Sequence, residues 1–241
     1  MMRSIVFILF YGIGFAVNAQ PQLEDLKKEL QLSSEIEAVI ELPQELKTVM
    51  PPADAELGQA EAGLGLAVGT QVSAFTVKTY EGKPITFNEL LKQAPLLIVF
   101  YRGGWCPYCN FQVREMVQAY PQFKQAGVVP VLISVDEVHG AVLLEKTYNI
   151  PFPVLSDPDL IAHKIFQVVL TVDEATVKRY RNEFDIDLEA WSERQHHQIG
   201  IPGFFLIDKA SIVQWRHVNR DYKVRPSTEQ LLTVIQSSLT P

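Results

Sequence analysis

The chain has only two cysteines in 241 residues, Cys106 and Cys109. So few exclude a disulfide-rich scaffold, and without a second cysteine pair a four-ligand zinc site lacks its ligands. No cysteine follows the apolar stretch near the start, which excludes a lipid-anchored lipoprotein. Positive charge is in the minority, with 21 Lys and Arg against 28 Asp and Glu and a net charge of −7. No basic block occurs, so no nucleic-acid surface is expected. No internal repeat is present.

What is there is apolar material in quantity. Hydrophobic residues make up 47% of the chain, enough for a sizeable core, and the length suits one domain with extensions. The start, "MMRSIVFILFYGIGFAVNAQ", has Arg3, an apolar run from Ile5 to Val17 and small residues before Ala19. The run is shorter than the roughly 20 residues of a spanning helix. It reads as a signal peptide over residues 1–19, cleaved after Ala19, and implies a secreted or periplasmic protein in a compartment that permits disulfides. Residues 20–65 read as a helical extension and linker. Leu23, Leu26 and Leu30 share one face, Pro51 and Pro52 stop the helix, and a glycine-rich stretch follows. The domain itself spans 66–241.

Within that domain strands alternate with helices. "AFTVKTYEGKPITF" reads as a hairpin turning at Glu81-Gly82. "PLLIVFY" and "GVVPVLISV" are continuous apolar runs, as strands buried on both faces should be. Between them Pro107 to Ala126 reads as a helix kinked by Pro121. "AVLLEKTYNI" is a further helix and "FPVLSD" a short strand. "PDLIAHKIF" is a helix with Pro158 in its first turn. "GFFLID" and "SIVQWRHV" form a second hairpin, and a closing helix starts on Ser227 and Gln230 as a capping box. The pattern predicts an α/β layer fold with a mixed sheet. One stretch, Val172 to Gln198, interrupts it. Val177, Tyr180, Phe184, Leu188 and Trp191 recur there at helical spacing, which predicts an amphipathic insertion. Its apolar face either packs on the domain edge or forms a lid or dimer surface near the thiols.

Both cysteines lie in "FYRGGWCPYCN", directly after the first buried strand. A helix starting between them would put its free N–H groups and positive dipole end beside the sulfurs, which favours a thiolate. Pro107 suits the first helical turn, where an N–H would go unused. Trp105 can shield one side of the site. Two sulfurs three positions apart can close a small disulfide ring. His196 and His197 are expected to be solvated, and His139, His163 and His217 to be packing or surface groups.

"WCPYC" after an apolar strand resembles the thioredoxin superfamily. The surrounding domain resembles peroxiredoxins of the alkyl hydroperoxide reductase/thiol-specific antioxidant type. "FYRGGWCPYC" lines up without gaps on their Phe-Tyr-Pro-x-x-x-Thr-x-x-Cys pattern. "GKPITFNELL", the stretch through Ser156-Asp157, and "PGFFLID" resemble further segments of that family. The resemblance implies a thioredoxin fold, a mixed central sheet flanked by helices. It places the peroxidatic cysteine on Cys109 and the family's threonine on Cys106. Arg102 stands in place of the family's proline and is a candidate cation for the site. Pro202 stands in place of the family's arginine before Gly-x-Phe. A proline there is a thioredoxin trait, a cis-proline facing the CxxC.

Two role assignments follow. As a peroxidase for hydrogen peroxide or organic hydroperoxides, Cys109 would attack the peroxide and Cys106 would resolve the sulfenic acid to a disulfide. A thioredoxin-like partner would supply electrons. As a thiol–disulfide oxidoreductase on protein disulfides, Cys106 would attack and Cys109 would resolve. Both end in the same oxidised form, so the sequence leaves them open. A third reading is a non-enzymatic redox-sensing module with the insertion as partner surface. No organic or metal cofactor is implied, and a homodimer through the N-terminal helix is compatible with the sequence.

Overall fold

A computed structural model of the chain describes residues 64–239. The signal peptide expected at 1–19 and the helical extension fall outside the described residues. The chain opens with a hairpin of β1 (Thr76–Thr79) and β2 (Pro84–Thr86), turning where expected, with Gly82 at φ +77°. Helix α1 (Phe87–Leu91) follows, capped by Thr86 and Glu89 in a reciprocal box. Then come β3 (Leu96–Phe100), α2 (Pro107–Gln118), α3 (Tyr120–Gln125), β4 (Val129–Ser134), α4 (Val138–Tyr148) and β5 (Val154–Ser156). Strands β3, β4 and β5 pair in parallel through helical crossovers. Helix α5 (Ile161–Ile165) leads on to β6 (Val169–Thr171), and two helices, α6 (Glu174–Phe184) and α7 (Leu188–Ser192), precede β7 (Gln198–Gly200). Finally β8 (Gly203–Ile207) and β9 (Val213–Val218) form an antiparallel hairpin, and α8 (Thr228–Leu239) closes the chain on the expected Ser227–Gln230 box.

The main sheet is mixed, in the order β2-β1-β5-β4-β3-β8-β9. Its central strands show why their sequences do not alternate. Leu97 and Val99 of β3 join a core that includes both cysteines, while Leu96, Ile98 and Phe100 join the core on the other face. Helices cover both faces, so every position is apolar. The same split holds in β8 between Phe204, Leu206 and Phe205, Ile207.

Three local expectations are refined. The stretch after Pro107 is two helices broken at Ala119, because Pro121 sits in the first turn of the second and cannot donate to the first. Pro158 lies ahead of α5 rather than in its first turn. Asp157 and a left-handed Leu160 (φ +60°) start the helix instead, and the Asp157 carboxylate accepts from the N–H groups of Ile161 and His163. His163 is fully buried, with Nδ1 2.7 Å from Asp157 Oδ2. The adjacent His196 and His197 are not free in solvent. His196 Nε2 lies 2.9 Å from the Pro158 carbonyl and His197 Nε2 lies 2.6 Å from Glu189.

The insertion is the two helices α6 and α7, and its base is closed by an antiparallel pair, Val169 opposite Gly200. The pair was not legible beforehand, since each strand is three residues long. Val177, Leu188 and Trp191 are buried, so much of the apolar stripe packs on its own domain, whereas Phe184 is 53% exposed. Trp191 locks α7 against α4. A Cβ on Gly140 would lie 2.7 Å from Asp136 Cβ and 3.1 Å from the Trp191 ring. Gly140→Val is therefore expected to cost about 1–3 kcal/mol of stability, read by urea unfolding. An unchanged midpoint would mean that this contact relaxes freely.

Candidate active site: two buried thiols at a helix N-terminus

Strand β3 delivers the site. After Phe100 the chain leaves the sheet through Tyr101 to Trp105 and turns into α2. Gly103 has φ +153°, and a Cβ there would fall 2.2 Å from Trp105 Nε1, so only glycine fits the turn. Cys106 is the N-cap residue in extended geometry, Pro107 opens the helix, and Cys109 sits in its first turn. Asn110 Nδ2 donates to the Gly104 carbonyl at 2.8 Å and ties the helix back to the turn. Both cysteines are free thiols, and both are 0% exposed.

Two arginines serve the two sulfurs. Arg102 Nη1 points at Cys106 Sγ at 3.9 Å. Arg225 Nη2 donates to Cys109 Sγ at 3.2 Å. Arg225 is 2% exposed and firmly held: Nε donates to the Tyr222 carbonyl at 2.6 Å, and Nη1 donates to Gln112 Oε1 at 3.0 Å. Gln112 in turn donates to the Pro226 carbonyl at 3.0 Å. Among the described residues no carboxylate lies within ion-pair distance of either arginine.

The sulfurs are not equivalent. Burial opposes ionisation of Cys109, but a hydrogen bond from Cys106 and the charges of Arg225 and Arg102 outweigh it, and its pKa falls to about 5. Burial pushes the Cys106 thiol well up, and its hydrogen bond to Cys109 holds its proton in place. The two directions together favour a Cys109 thiolate that accepts from a Cys106 thiol.

Beneath the turn lies a buried carboxyl group. Asp136 follows β4, and its Oδ2 accepts from Gly104 N–H at 2.8 Å and from Ser134 Oγ at 3.0 Å. Its Oδ1 and the hydroxyl of Tyr101 are buried without a partner among the described residues. Burial raises its pKa to about 7 against the pull of those two donors, and the Cys109 charge adds to the rise. An acid whose folded pKa is raised loses stability as pH climbs from its ordinary value toward the folded one. Relative to wild type, Asp136→Asn is therefore expected to gain stability between pH 4 and pH 7. The gain should be roughly 5 °C or more in Tm, measured by thermal melts of the reduced proteins. A difference that stays constant across that range would remove the buried acid from the account.

Cys106, Cys109, Arg102, Trp105 and Pro107 gather around this helix start. Trp105 is 2% exposed and lies beside Arg102, whose guanidinium is 4.7 Å from its ring centre. Pro202 differs from expectation. It is buried in the chain entering β8, one residue beyond the Phe100–Gly203 pair, and its peptide is trans, as are all those described. The reason is the extended run around it. Ile201 N–H donates to Val168, and the Pro202 carbonyl accepts from Asn219. The sequence reading missed Arg225, Gln112 and Asp136. Gln112, three positions after Cys109 on the same helical face, could have been found from spacing. Arg225 had no local signal, being 116 positions from the sulfur it serves.

Comparison with known proteins agrees with this frame. The profile described as the AhpC/TSA family matches residues 68–216. A chloroplastic peroxiredoxin Q from Sedum lineare is 34% identical over 89 residues, covering 37% of this chain and 47% of that protein. A putative peroxiredoxin bcp from Coxiella burnetii is 31% identical over 96 residues, 40% of this chain and 63% of the relative. The chain thus spans about half to two thirds of the length of these curated relatives. The crystal structure of peroxidoxin BcpB from Mycobacterium tuberculosis superposes with a TM-score of 0.59 at 16% identity, over 73% of this chain and 99% of that one. That likeness speaks for the fold, a thioredoxin-type α/β sheet. A profile match over more than half of the chain, which includes the strand and helix that carry Cys106 and Cys109, makes this protein a member of the AhpC/TSA family.

Proposed function

We propose that the protein is a thiol-dependent peroxidase in which Cys109 is the attacking sulfur. The observation that carries this reading is the buried Arg225 guanidinium, whose Nη2 donates to Cys109 Sγ at 3.2 Å and helps to pull that thiol's pKa down. The Cys109 thiolate attacks the terminal oxygen of a hydroperoxide. An S–O bond forms, the O–O bond breaks, and the leaving alkoxide or hydroxide takes a proton from solvent, giving alcohol or water and the sulfenic acid of Cys109. Arg225 and Arg102 stabilise the charge that moves from sulfur to oxygen. Cys106 then attacks the sulfenic acid of Cys109. The S–S bond forms, and the hydroxyl leaves as water with the Cys106 proton.

A thioredoxin-like dithiol would reduce the disulfide and return both thiols. Since neither sulfur is exposed, that step needs the first turn of α2 to open. Exchange with protein disulfides is the weaker reading, because it asks for an ionised Cys106, whose pKa burial and the hydrogen bond to Cys109 push up. Export through the signal at residues 1–19 belongs to the same proposal.

The test is rapid mixing of reduced protein with hydrogen peroxide and with an organic hydroperoxide, followed by tryptophan fluorescence. Oxidation much faster than that of a free thiol is expected for at least one of the two. A rate like a free thiol's with both would end the peroxidase reading.

A further inference from the structure

The proposed chemistry leaves unused a recess of about 270 Å³ between the start of α2 and helix α6 of the insertion. Trp105, Tyr108 and Tyr222 form its inner side, and Tyr180, Phe184 and Ile186 its outer wall. Neither cysteine lines it, and both are 0% exposed, so a molecule held there is bound and not attacked. The wall is part of the helix end rather than a loose loop. Tyr180 packs on Trp105 at 5.8 Å between ring centres, and Ile186 N–H donates to the Tyr180 carbonyl at 2.9 Å.

One lining residue carries charge, and none is acidic. Arg102 is 7% exposed, with its guanidinium 4.1 Å from the Tyr222 ring centre and 4.7 Å from that of Trp105. It donates to the Tyr180 hydroxyl and points at Cys106 Sγ at 3.9 Å. A guanidinium has more N–H donors than these two partners take. Among the described residues no carboxylate pairs with it. Pro107 opens α2 beside it, so the positive end of that helix dipole faces the same space. Opposite this cation the wall is apolar, and Phe184 is left 53% exposed.

We propose that this recess is a binding site for a small apolar monocarboxylate, with the carboxylate on Arg102 and an aryl or branched alkyl group against Tyr108, Phe184 and Ile186. Each part of that description answers a feature of the recess. A carboxylate meets a guanidinium in fork geometry through charge-assisted hydrogen bonds, which a neutral ligand cannot match. A second charge on the ligand would be desolvated with no cation to meet it. The apolar part covers the exposed Phe184 ring and leaves water. The volume lies below that of a site for drug-sized molecules, so the ligand is small. Such an acid is neither peroxide nor disulfide, and the site stands independently of the peroxidase reading.

The test titrates the reduced full chain with 3-phenylpropionate, followed by calorimetry and by tryptophan fluorescence, since Trp105 lines the recess. The alcohol 3-phenylpropanol and acetate serve as comparators. Saturable binding of 3-phenylpropionate is expected, with the alcohol about ten-fold weaker or more. Acetate, which has no apolar part, should not saturate. Arg102→Met should erase the preference for the acid over the alcohol. Phe184→Ala changes an exposed side chain, so it should fold and melt like wild type yet bind the acid about three-fold more weakly or worse. Equal binding of acid and alcohol would reduce the recess to an apolar pocket and overturn the proposal. Acetate binding as tightly as the larger acid would overturn it too, as would an unchanged affinity in Phe184→Ala, which places the ligand elsewhere. No saturable signal in either heat or fluorescence would mean that no site exists. No peroxide enters this assay, so its failure leaves the peroxidase reading untouched, and a failure to consume peroxide leaves this site untouched.

Discussion

Replacing Cys109 by serine is expected to reduce peroxide consumption to that of buffer alone, while Cys106→Ser should still consume one equivalent and then stop. The two outcomes follow from the asymmetry of the pair. On the proposed assignment Cys109 is the thiolate and hence the nucleophile, so its loss removes the first chemical step. Without Cys106 the sulfenic acid still forms, but nothing resolves it. A sulfenic-acid trap should then label Cys106→Ser at Cys109 and leave wild type unlabelled, since wild type closes to a disulfide. The removal of the Cys106 hydrogen bond should also slow the first step somewhat, because that bond is the first of the groups that bring the Cys109 pKa down. The reverse pattern, with Cys109→Ser still reacting and Cys106→Ser dead, would transfer the attacking role to Cys106 and revive the exchange reading.

The second large effect is expected at Arg225. Its guanidinium is buried, donates to Cys109 Sγ at 3.2 Å and has no carboxylate partner among the described residues. Arg225→Met should move the Cys109 titration midpoint from about 5 toward that of an ordinary thiol, near ~8.5. At pH 6 the thiolate fraction, and with it the rate of oxidation, should drop about 100-fold. The sign is checked by raising the pH. A lowered folded pKa matters only where an ordinary thiol would be protonated, so the variant should recover much of its rate near pH 9.5. What does not recover is the transition-state contribution of the guanidinium. Arg225 also bonds to Tyr222 and Gln112, so the substitution disturbs local packing. A merely structural role would slow the reaction equally at every pH. An unchanged midpoint, read from thiolate absorbance or from the pH dependence of alkylation, would therefore assign Arg225 to structure and not to the chemistry.

The fold was largely legible because its signals are local. "PLLIVFY" reads as a strand buried on both faces, and the structure divides its side chains between two cores. Pro107 marks the helix start, and the Ser227–Gln230 box marks another. The errors arose at two prolines whose local meaning their neighbours overrode. Pro158 was displaced from α5 because Asp157 supplies a better start, accepting two backbone N–H groups at once. Pro202 stays trans because the backbone bonds on either side of it keep the chain extended. The two short strands at the base of the insertion, β6 and β7, exist only as a pair and have no pattern of their own.

From its sequence alone this protein had a CxxC at the start of a helix, a strand to deliver it, and two chemistries that end in the same disulfide. The tertiary structure supplies the asymmetry on which the proposed assignment rests, because the ionisation of a buried thiol depends on charges a few Å away and not on neighbours along the chain. Arg225 reaches Cys109 across 116 positions, Asp136 reaches the turn at Gly104 across 32, and Tyr180 reaches Arg102 across 78. Helix, strand and turn preferences act over a few residues and can be read in order. The electrostatic inequality of two cysteines three residues apart is set by groups that only folding brings beside them.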